Sequence, residues 1–350
     1  MSKKTAILVV GSINIDLVIQ ADRIPKPGEN VMGRNFRTVP GGKGANQAVA
    51  VSRMGGNARF CGCVGDDDFG RELLKSLAAS GVDASLVRST SEAGTGTAVI
   101  IVDEKSGESS IVVQRGANAC LTPEDVGQAF RSTPEAACVL MQLETTDEVV
   151  MAAIREAGKR GIPAIVDAGP ARGVPLECFK GATILSPNSF EAKALTGIEV
   201  VDRQTAVSSA RRIKQAGVPI SIFHMGEKGA IIVDENEAVI EAPAFAVKAV
   251  DTTAAGDSFM GALAVGICEG MPLADAVRMA NAAEALVWAG CCLDLMGRRE
   301  EALKYYERAS RLDAKPVSDA AERNIRIPFT SKCLARISPD FTVATALFPW

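Results

Sequence analysis

The fold is decided by residues 138–167, which read CVLMQLETTDEVVMAAIREAGKRGIPAIVD. Short apolar runs lie at the two ends of this stretch, at Cys138–Leu143 and Ala164–Asp167. Between them, the apolar residues of Thr146–Lys159 recur at helical spacing. This order predicts a strand, a helix and a second strand. In such a unit the strands lie parallel in one sheet and the helix packs on its face, so the stretch predicts an α/β fold.

The same alternation extends outward in both directions. The further predicted elements are strand Ala6–Val10, helix Ala45–Met54, strand Phe60–Val64, helix Gly70–Ser80, helix Pro123–Phe130, strand Thr183–Leu185, helix Pro187–Leu195, helix Asp202–Ala216 and strand Ile220–Phe223. This pattern predicts an open, mostly parallel sheet with helices on both faces. Two runs do not alternate with helices, Gly96–Val102 and Ser109–Gln114. They predict a β-hairpin that forms a separate small sheet with residues 18–38.

Polar side chains and glycines follow the predicted strands at their carboxyl ends. These positions are Asn14, Glu144, Asp167, Asn188, Met225–Gly226 and the segment 251–257. In open α/β sheets, ligands bind outside the carboxyl ends of the strands. The convergence of these positions therefore predicts a ligand site at one edge of the sheet, although no single motif does so.

The segment Asp-Thr-Thr-Ala-Ala-Gly-Asp-Ser-Phe (251–259) precedes a helix pattern rich in small residues. Main-chain amides at a helix start have no partner inside the helix, so those of Ala254, Ala255 and Gly256 could hold an anion such as phosphate. Asp257 is placed to take a proton from a hydroxyl that attacks this phosphate. The alternative is that Asp257 only caps the helix.

A glycine-rich loop, Pro-Gly-Gly-Lys-Gly-Ala-Asn-Gln-Ala (40–48), is a second candidate for ligand contact. Its glycines let the backbone approach a ligand closely, and Lys43 and Asn46 offer donors. The spacing is not that of a Walker A loop. Near the N-terminus, Asn14 and Asp16 share one face of a strand and either face solvent or hold a polar ligand.

Asn188 and Glu191 also leave two interpretations open. They lie three residues apart on one helix face, where an amide and an acid could order water around Mg²⁺. The same pair is equally typical of a helix-capping arrangement.

Composition excludes several classes of function. The 38 basic and 42 acidic residues give a formal net charge of −4 without a basic stripe, so nucleic acid is not an expected partner. The apolar run Ala6–Val10 is too short to be a signal peptide or a membrane span, so we expect a cytoplasmic protein with no membrane partner.

Nine cysteines lack metal-ligand spacing and are expected to be reduced thiols. His224 is the only histidine, which excludes Ser-His-Asp and Cys-His catalysis unless His224 takes part.

Four stretches together resemble the ribokinase, or pfkB-type, family of carbohydrate kinases, which includes adenosine kinase and bacterial minor phosphofructokinase. These stretches are Gly11–Leu17, the run 41–47, the run 186–191 and Asp251–Phe259. The resemblance extends over roughly residues 5–288 and implies a kinase domain of residues 1–288 with a three-layer α/β/α fold. A small β-sheet lid would come from about residues 17–40 and 95–116, and the lids often form a homodimer.

The family likeness implies a sugar kinase that uses ATP and Mg²⁺. The Gly-Gly-Lys-Gly-Ala-Asn-Gln run is similar to that of family members acting on ribose, which implies phosphorylation of D-ribose at its 5-hydroxyl. The alternatives are a kinase for another sugar or nucleoside, and a catalytically impaired interaction protein.

The resemblance also implies roles for individual residues. Asp257 would be the general base, and Ala254, Ala255 and Gly256 would form the anion hole. The sugar would be held by Asn14, Asp16, Gly42, Lys43, Asn46 and Glu144. Mg-ATP would be bound by Asn188, Glu191, Gly226, Gly229, Gly256 and Asn281, with Glu191 at the metal. Asp251 and Thr253 would contribute to a K⁺ site, and His224 stands beside the nucleotide where the family usually has threonine, with no catalytic role.

The chain departs from the family in two places. Asp167-Ala168-Gly169 replaces the usual Asn-Pro-Ala, and a Thr-Arg-x-Gly-Ala segment that completes the K⁺ site and the adenine pocket is missing after Leu286. We therefore expect weak or absent activation by K⁺. Residues 289–314 instead resemble a single tetratricopeptide repeat, and residues 315–350 predict an irregular or disordered tail.

Overall fold

The computed structural model describes residues 6–105, 108–170, 172–245 and 254–284. Its strands are β1 (Ala6–Val10), β2 (Asn14–Ala21), β3 (Gly33–Gly41), β4 (Asn57–Gly65), β5 (Asp83–Thr90), β6 (Gly96–Asp103), β7 (Ser109–Gln114), β8 (Ala136–Met141), β9 (Ala164–Asp167), β10 (Ile184–Ser186), β11 (Ile220–His224), β12 (Ala230–Val233) and β13 (Val239–Ala242). Its helices are α1 (Lys43–Arg53), α2 (Asp68–Ala79), α3 (Pro123–Ser132), α4 (Asp147–Arg160), α5 (Ser189–Thr196), α6 (Arg203–Gln215), α7 (Ala255–Cys268) and α8 (Leu273–Ala282).

The central sheet is open and mostly parallel, as the sequence predicts. Its nine described strands lie in the order β13-β12-β11-β10-β9-β8-β1-β4-β5. Every neighbouring pair from β11 to β5 is parallel, whereas β12 runs antiparallel to both β11 and β13. The strand–helix–strand unit of residues 138–167 is formed by β8, α4 and β9, and β8 pairs with β9 in parallel. The prediction of this sheet is confirmed.

Strand β1 shows how the sequence builds the three layers. Its five residues are all buried, and side chains alternate between the two faces of the sheet. Ile7 and Val9 belong to the core packed by α1, α2, α7 and α8. Leu8 and Val10 belong to the opposite core, packed by α3, α4 and α6. A strand covered on both faces must be apolar throughout, which is why Ala6–Val10 shows no polar alternation.

A second sheet of four strands has the order β3-β2-β6-β7. Strands β6 and β7 form the predicted hairpin, and β2 pairs antiparallel with β3 and parallel with β6. Asn14 at the start of β2 pairs with Gly41 at the end of β3, next to the start of α1. The small sheet therefore meets the central sheet at the carboxyl end of β1.

The assigned ends differ little from the sequence expectations for the principal elements. The small sheet uses residues 14–41 and 96–114, close to the lid expected from residues 17–40 and 95–116. The expectations for residues 289–314 and 315–350 lie outside the described residues. Within the described ranges, no helix is both long and apolar enough to span a bilayer.

Candidate active site

Asp257 lies in the first turn of α7, and only 5% of its surface is exposed. Both of its carboxylate oxygens accept hydrogen bonds from α1: Oδ1 from Nε2 of Gln47 and Oδ2 from Nδ2 of Asn46, each at 3.1 Å. The Lys43 ammonium is 3.8 Å from Oδ1. The carboxylate therefore faces α1, and the interpretation of Asp257 as only a helix cap is wrong.

The environment of Asp257 raises its pKa to about 6. Burial is the main cause, and the negative charge of Asp167 adds to it. The positive charge of Lys43 and the hydrogen bonds from Asn46 and Gln47 oppose the increase. A carboxylate with a pKa in this range can accept a proton near neutral pH.

Lys43, Asn46 and Gln47 share one face of α1 because they are spaced three and four residues apart. Nζ of Lys43 is 3.1 Å from Oδ2 of Asp167 at the end of β9. Burial alone would lower the pKa of Lys43, but Asp167 and Asp257 raise it above its ordinary value. Lys43 is therefore a cation fixed between two carboxylates.

The helix start at Ala254 leaves main-chain amides available. Ala254 has a left-handed backbone with φ of 58°, and none of the described side chains caps the helix. The first helical hydrogen bond runs from the Ser258 amide to the Ala254 carbonyl, so the amides before Ser258 have no helical acceptor. Apart from the backbone of α7 itself, a Cβ atom added to Gly256 would meet no atom of the described residues within 4 Å. The geometry supports the expected anion hole.

Asn14 is buried and Asp16 is half-buried, so the two do not form a solvent-exposed face of the strand. Asn14 is 4% exposed, and its Oδ1 accepts a 2.7 Å hydrogen bond from Nδ2 of Asn118. Burial, with a contribution from Glu144, raises the pKa of Asp16 to about 7. Both side chains lie at the junction of the small sheet with the central sheet, where a polar ligand could replace water.

Gly42 and Glu144 complete this polar junction. Gly42 has a φ of 91°, and a Cβ atom there would lie 2.8 Å from the backbone of Ile13 and Asn14. Only glycine fits at this helix start. Oε2 of Glu144 accepts hydrogen bonds from the Lys43 amide at 3.0 Å and from the Ser12 hydroxyl. Glu144 thus holds the start of α1 beside Asn14.

Asn188 and Glu191 form a helix-capping box at the start of α5. Oδ1 of Asn188 accepts from the Glu191 amide at 2.8 Å, and Oε2 of Glu191 accepts from the Asn188 amide at 2.9 Å. Burial and the nearby Asp167 raise the pKa of Glu191. A Cβ atom at Gly169 would be 2.7 Å from Oε1 of Glu191 and 2.8 Å from Nζ of Lys43, which places Glu191 close to the Lys43 cluster.

His224 ends β11 and packs against α7. Its Nε2 lies 2.9 Å from Oγ of Ser186, and its ring meets that of Phe259 edge-on with centroids 4.4 Å apart. Burial lowers the pKa of His224 to about 4, so the imidazole is neutral at physiological pH. His224 and Gly226 also line an open cleft beside the start of α5.

The structure gives Gly229 and Asn281 roles in packing. A Cβ atom at Gly229 would lie 2.1 Å from the Ala242 carbonyl oxygen. Nδ2 of Asn281 donates to the carbonyls of Ala242 and Pro243 at 3.0 and 3.3 Å. Asn281 is buried and holds the end of β13, so its contact with adenine stays a prediction. Asp251 and Thr253 lie outside the described residues.

Comparison with known proteins agrees with this arrangement. Residues 4–289 match the sequence model of the pfkB family carbohydrate kinase. The chain belongs to the pfkB family of carbohydrate kinases. The fold expected from the family resemblance is therefore confirmed.

Several relatives in this kinase family match most of the chain. A ribokinase of Haemophilus influenzae is 36% identical over 307 residues, covering 87% of this chain and 100% of the relative. A ribokinase of Bacillus subtilis is 38% identical over 280 residues, covering 80% and 92%. The solved structure of Arabidopsis thaliana ribokinase complexed with ribose and ATP matches with a TM-score of 0.76 at 31% identity, covering 87% of this chain and 99% of that one.

The residues present suit a carbohydrate kinase that uses Mg²⁺ together with phosphate oxygens. Mg²⁺ keeps several waters and takes one or two protein carboxylates besides its substrate phosphates. Glu191 supplies such a carboxylate at the start of α5. In the described ranges, no group of three or more His, Cys, Asp or Glu side chains is arranged to hold a metal ion by itself.

Sequence reasoning missed functional-site residues of this kinase that act through hydrogen bonds. Gln47 contacts both Asp167 and Asp257, and Asn118 orients Asn14. The helical spacing from Lys43 and Asn46 was a signal for Gln47. No sequence signal pointed to Asn118, which lies in a short turn after β7 and reaches the site only through the fold.

Proposed function

We propose that this chain is an ATP-dependent ribokinase that phosphorylates D-ribose at the 5-hydroxyl to give ribose 5-phosphate. The observation that carries the proposal is the buried Asp257 carboxylate, with its pKa raised to about 6, beside a helix start with open main-chain amides. The similarity to ribokinases across most of the chain supports ribose as the sugar.

The proposed reaction divides between two parts of the site. Asn14, Asp16 and Glu144 at the junction of the two sheets, with Gly42, Lys43 and Asn46 from the glycine-rich loop and α1, hold the sugar hydroxyls. Asp257 accepts the proton of the 5-hydroxyl while the sugar 5-oxygen attacks the terminal phosphorus of ATP. The bond between that phosphorus and the departing ADP oxygen breaks as the new ester bond forms.

The charge that develops on the transferred phosphoryl group is met by fixed positive dipoles. The amides of Ala254, Ala255 and Gly256 at the α7 start would supply them, and the helix dipole would add to their effect. Phosphoryl transfer depends on positioning and charge stabilisation more than on covalent catalysis. A preformed amide cradle beside a fixed base meets both needs.

Mg-ATP is proposed to lie along the starts of α5 and α7. Asn188 orders the first turn of α5, and Oε1 of Glu191 is the proposed carboxylate contact for the hydrated metal. Bound Mg²⁺ would neutralise phosphate charge. Gly226 and Gly229 would follow the nucleotide, His224 would line its pocket as a neutral ring, and Asn281 would approach the adenine.

Potassium is proposed to have little effect on this kinase. The expected K⁺ ligands Asp251 and Thr253 are present in the sequence, but the segment that completes the site in the family is replaced after Leu286. We expect less than about a twofold rise in turnover when K⁺ replaces a tetraalkylammonium ion. A strong, saturable response to K⁺ in an ADP-release assay would contradict this expectation.

A homodimer through the small sheet is proposed on the basis of its exposed apolar strand. Ile111, Val112 and Val113 on β7 are 57%, 71% and 52% exposed. Consecutive exposed apolar residues are unusual on a monomer surface and are typical of interaction sites.

We propose a cytoplasmic location. The use of ATP and the six described cysteines, all of which are free thiols, support it.

One substrate panel tests the proposed function. Purified protein with Mg-ATP is supplied with ribose, deoxyribose, fructose 6-phosphate or adenosine, and ADP formation is followed by a coupled assay. We expect the highest kcat/KM with ribose. Preference for another compound would replace ribose as the substrate, and no sugar-dependent ADP with any of them would favour the interaction-protein alternative.

A further inference from the structure

Gln47 is a fully buried glutamine between the two acids of the site. Its Nε2 donates to Oδ2 of Asp167 at 2.7 Å and to Oδ1 of Asp257 at 3.1 Å. Its Oε1 accepts a 2.6 Å hydrogen bond from Nε2 of Gln142. The opposite amide orientation would place Oε1 against two carboxylates, so these contacts fix the orientation of the group.

Asp167 holds Gln47 from the end of β9. Its Oδ2 accepts from Gln47 and from Nζ of Lys43, and its Oδ1 accepts from the Gly169 amide at 2.9 Å. The carboxylate is 6% exposed and is held by three donors. Asp167 is therefore a rigid acceptor, linking the central sheet to α1.

We infer that Gln47 is a positioning residue for phosphoryl transfer, fixing the carboxylate of Asp257 through one amide group that Asp167 and Gln142 hold in place. The inference rests on the proposed function, because it concerns how the proposed base is aimed. Gln47 itself is proposed to touch neither the sugar 5-oxygen nor the phosphate.

Without the Gln47 amide, the contacts that hold the Asp257 carboxylate change. Oδ1 of Asp257 would lose its neutral donor, while the ammonium of Lys43 remains 3.8 Å away. Closing that gap to a direct ion pair would turn the carboxylate out of the orientation that Asn46 and Gln47 now hold. A displacement of about 1 Å in such a site can lower the rate by roughly a hundredfold.

Gln47 and Asp167 have opposite effects on the pKa of Asp257. The hydrogen bond from Gln47 lowers the pKa of Asp257, and the charge of Asp167 raises it. In the described part of the chain, the other charged groups near this carboxylate are Lys43 of α1 and Glu191 of α5. Removing the Gln47 donor should therefore raise the pKa of Asp257, and removing the Asp167 charge should lower it.

The test compares Gln47→Met and Asp167→Asn with the unaltered protein. Methionine keeps the length of the side chain but cannot donate, and asparagine keeps an acceptor but loses the charge. For Gln47→Met we expect kcat to fall by about tenfold to a hundredfold, with both KM values changed by less than about threefold. The acid limb of its kcat/KM profile should move to higher pH, whereas Asp167→Asn should keep kcat within about tenfold and move that limb to lower pH.

Gln142→Met is the matched control, because Gln142 is equally buried and, among the described residues, hydrogen-bonds to Gln47 but to no carboxylate. We expect a smaller fall in kcat and no shift of the acid limb. Equal losses in Gln47→Met and Gln142→Met, or acid limbs that shift in the same direction for Gln47→Met and Asp167→Asn, would overturn the inference. Should Gln47→Met fail to fold, Gln47→Asn takes its place, with the same expected direction of shift because the shorter amide cannot reach both acids.

Failure of the proposed function can be distinguished from failure of this inference. Absence of ribose-dependent ADP from the unaltered protein rejects the proposed function alone. The Asp257 carboxyl carbon is then titrated by ¹³C NMR in aspartate-labelled protein, with Asp257→Asn for assignment. Opposite shifts in Gln47→Met and Asp167→Asn support the hydrogen-bond arrangement, and unchanged titration overturns it.

Discussion

At the scale of single residues, burial changes protonation more than any one ion pair does. It raises the pKa of Asp257 to about 6 and that of Asp16 to about 7, and it lowers that of His224 to about 4. The site therefore contains two acids that can exchange protons near neutral pH and a neutral imidazole. This combination suits proton transfer from an alcohol better than nucleophilic catalysis.

His224 leads to a prediction about stability. Its pKa is 6.5 when unperturbed and about 4 in the fold, so between these values the unfolded chain binds a proton that the folded chain does not. Relative to a variant without the imidazole, the contribution of His224 to folding stability is complete above about pH 6.5. It decreases as the pH falls toward 4. His224→Thr should remove this dependence.

The measurement is the free energy of urea unfolding of both proteins at about pH 7 and about pH 5. The advantage of the unaltered protein over His224→Thr should shrink by about 2 kcal/mol between these values. Other titrating groups are common to the two proteins and cancel in the difference. A difference that stays constant with pH would show that His224 is solvated or already paired as a cation.

At the scale of elements, three helix starts meet at the carboxyl edge of the sheet. Glu144 accepts from the first amide of α1, Asn188 caps α5, and no side chain in the described part of the chain caps α7. Ala254 and Ala255 are half-buried and Gly256 is exposed, so a ligand or water can reach the unused amides there. The uncapped start of α7 is thus the element with capacity for phosphate.

The α5 cap can be separated from function by a matched pair of variants. Asn188→Ala and Thr122→Ala each remove a capping box, one at the site and one at the start of α3. Each should lower the free energy of unfolding by about 1 kcal/mol. Only Asn188→Ala should also raise KM for Mg-ATP, measured by ADP release at saturating ribose. Equal KM values for the two variants would reduce Asn188 to a helix cap.

Element types were predictable where the sequence shows one strong period. The apolar runs of β1, β8 and β9 and the helical spacing of α4 gave their positions closely. Strand β5 was missed because Asp83–Thr90 is a mostly half-buried edge strand in which polar and apolar residues do not alternate throughout. Strands β12 and β13 were missed because each has only four residues, too few to establish a period.

The site was predictable only where a residue follows a strand or opens a helix. Asp257, Glu144 and Asn188 satisfy that condition, and sheet topology brings such positions together. Asn118 contacts Asn14, 104 residues earlier in the chain. A long-range hydrogen bond of this kind leaves no local pattern in a single sequence.

At the scale of the whole molecule, the small sheet and the central sheet both contribute residues to the proposed sugar site. Strand β2 begins at Asn14 beside β1, and β3 returns the chain to Gly42 and α1. A movement of the small sheet relative to the central sheet would therefore change the contacts of Asn14 and Asp16. Assembly through β7 would stabilise the sheet that carries them.

The assembly is tested by Val112→Lys. Valine 112 is 71% exposed on β7, so the lysine costs little in a monomer but places a charge in a dimer interface. We expect the unaltered protein to sediment as a dimer and the variant as a monomer at micromolar concentration. Val201→Lys, also at an exposed valine, is the control and should stay dimeric. A monomer in all three proteins would reject assembly through the small sheet.

The central claim is that the Asp257 carboxylate accepts the proton of the sugar hydroxyl beside the amides of α7. It is tested most directly by kcat for ribose-dependent ADP formation in Asp257→Asn, with ATP affinity measured by calorimetry on the same sample. We predict a fall in kcat of about 10²–10⁴, with ATP affinity within about threefold of the unaltered protein. A variant that keeps kcat within about fivefold while still binding ATP would contradict the claim.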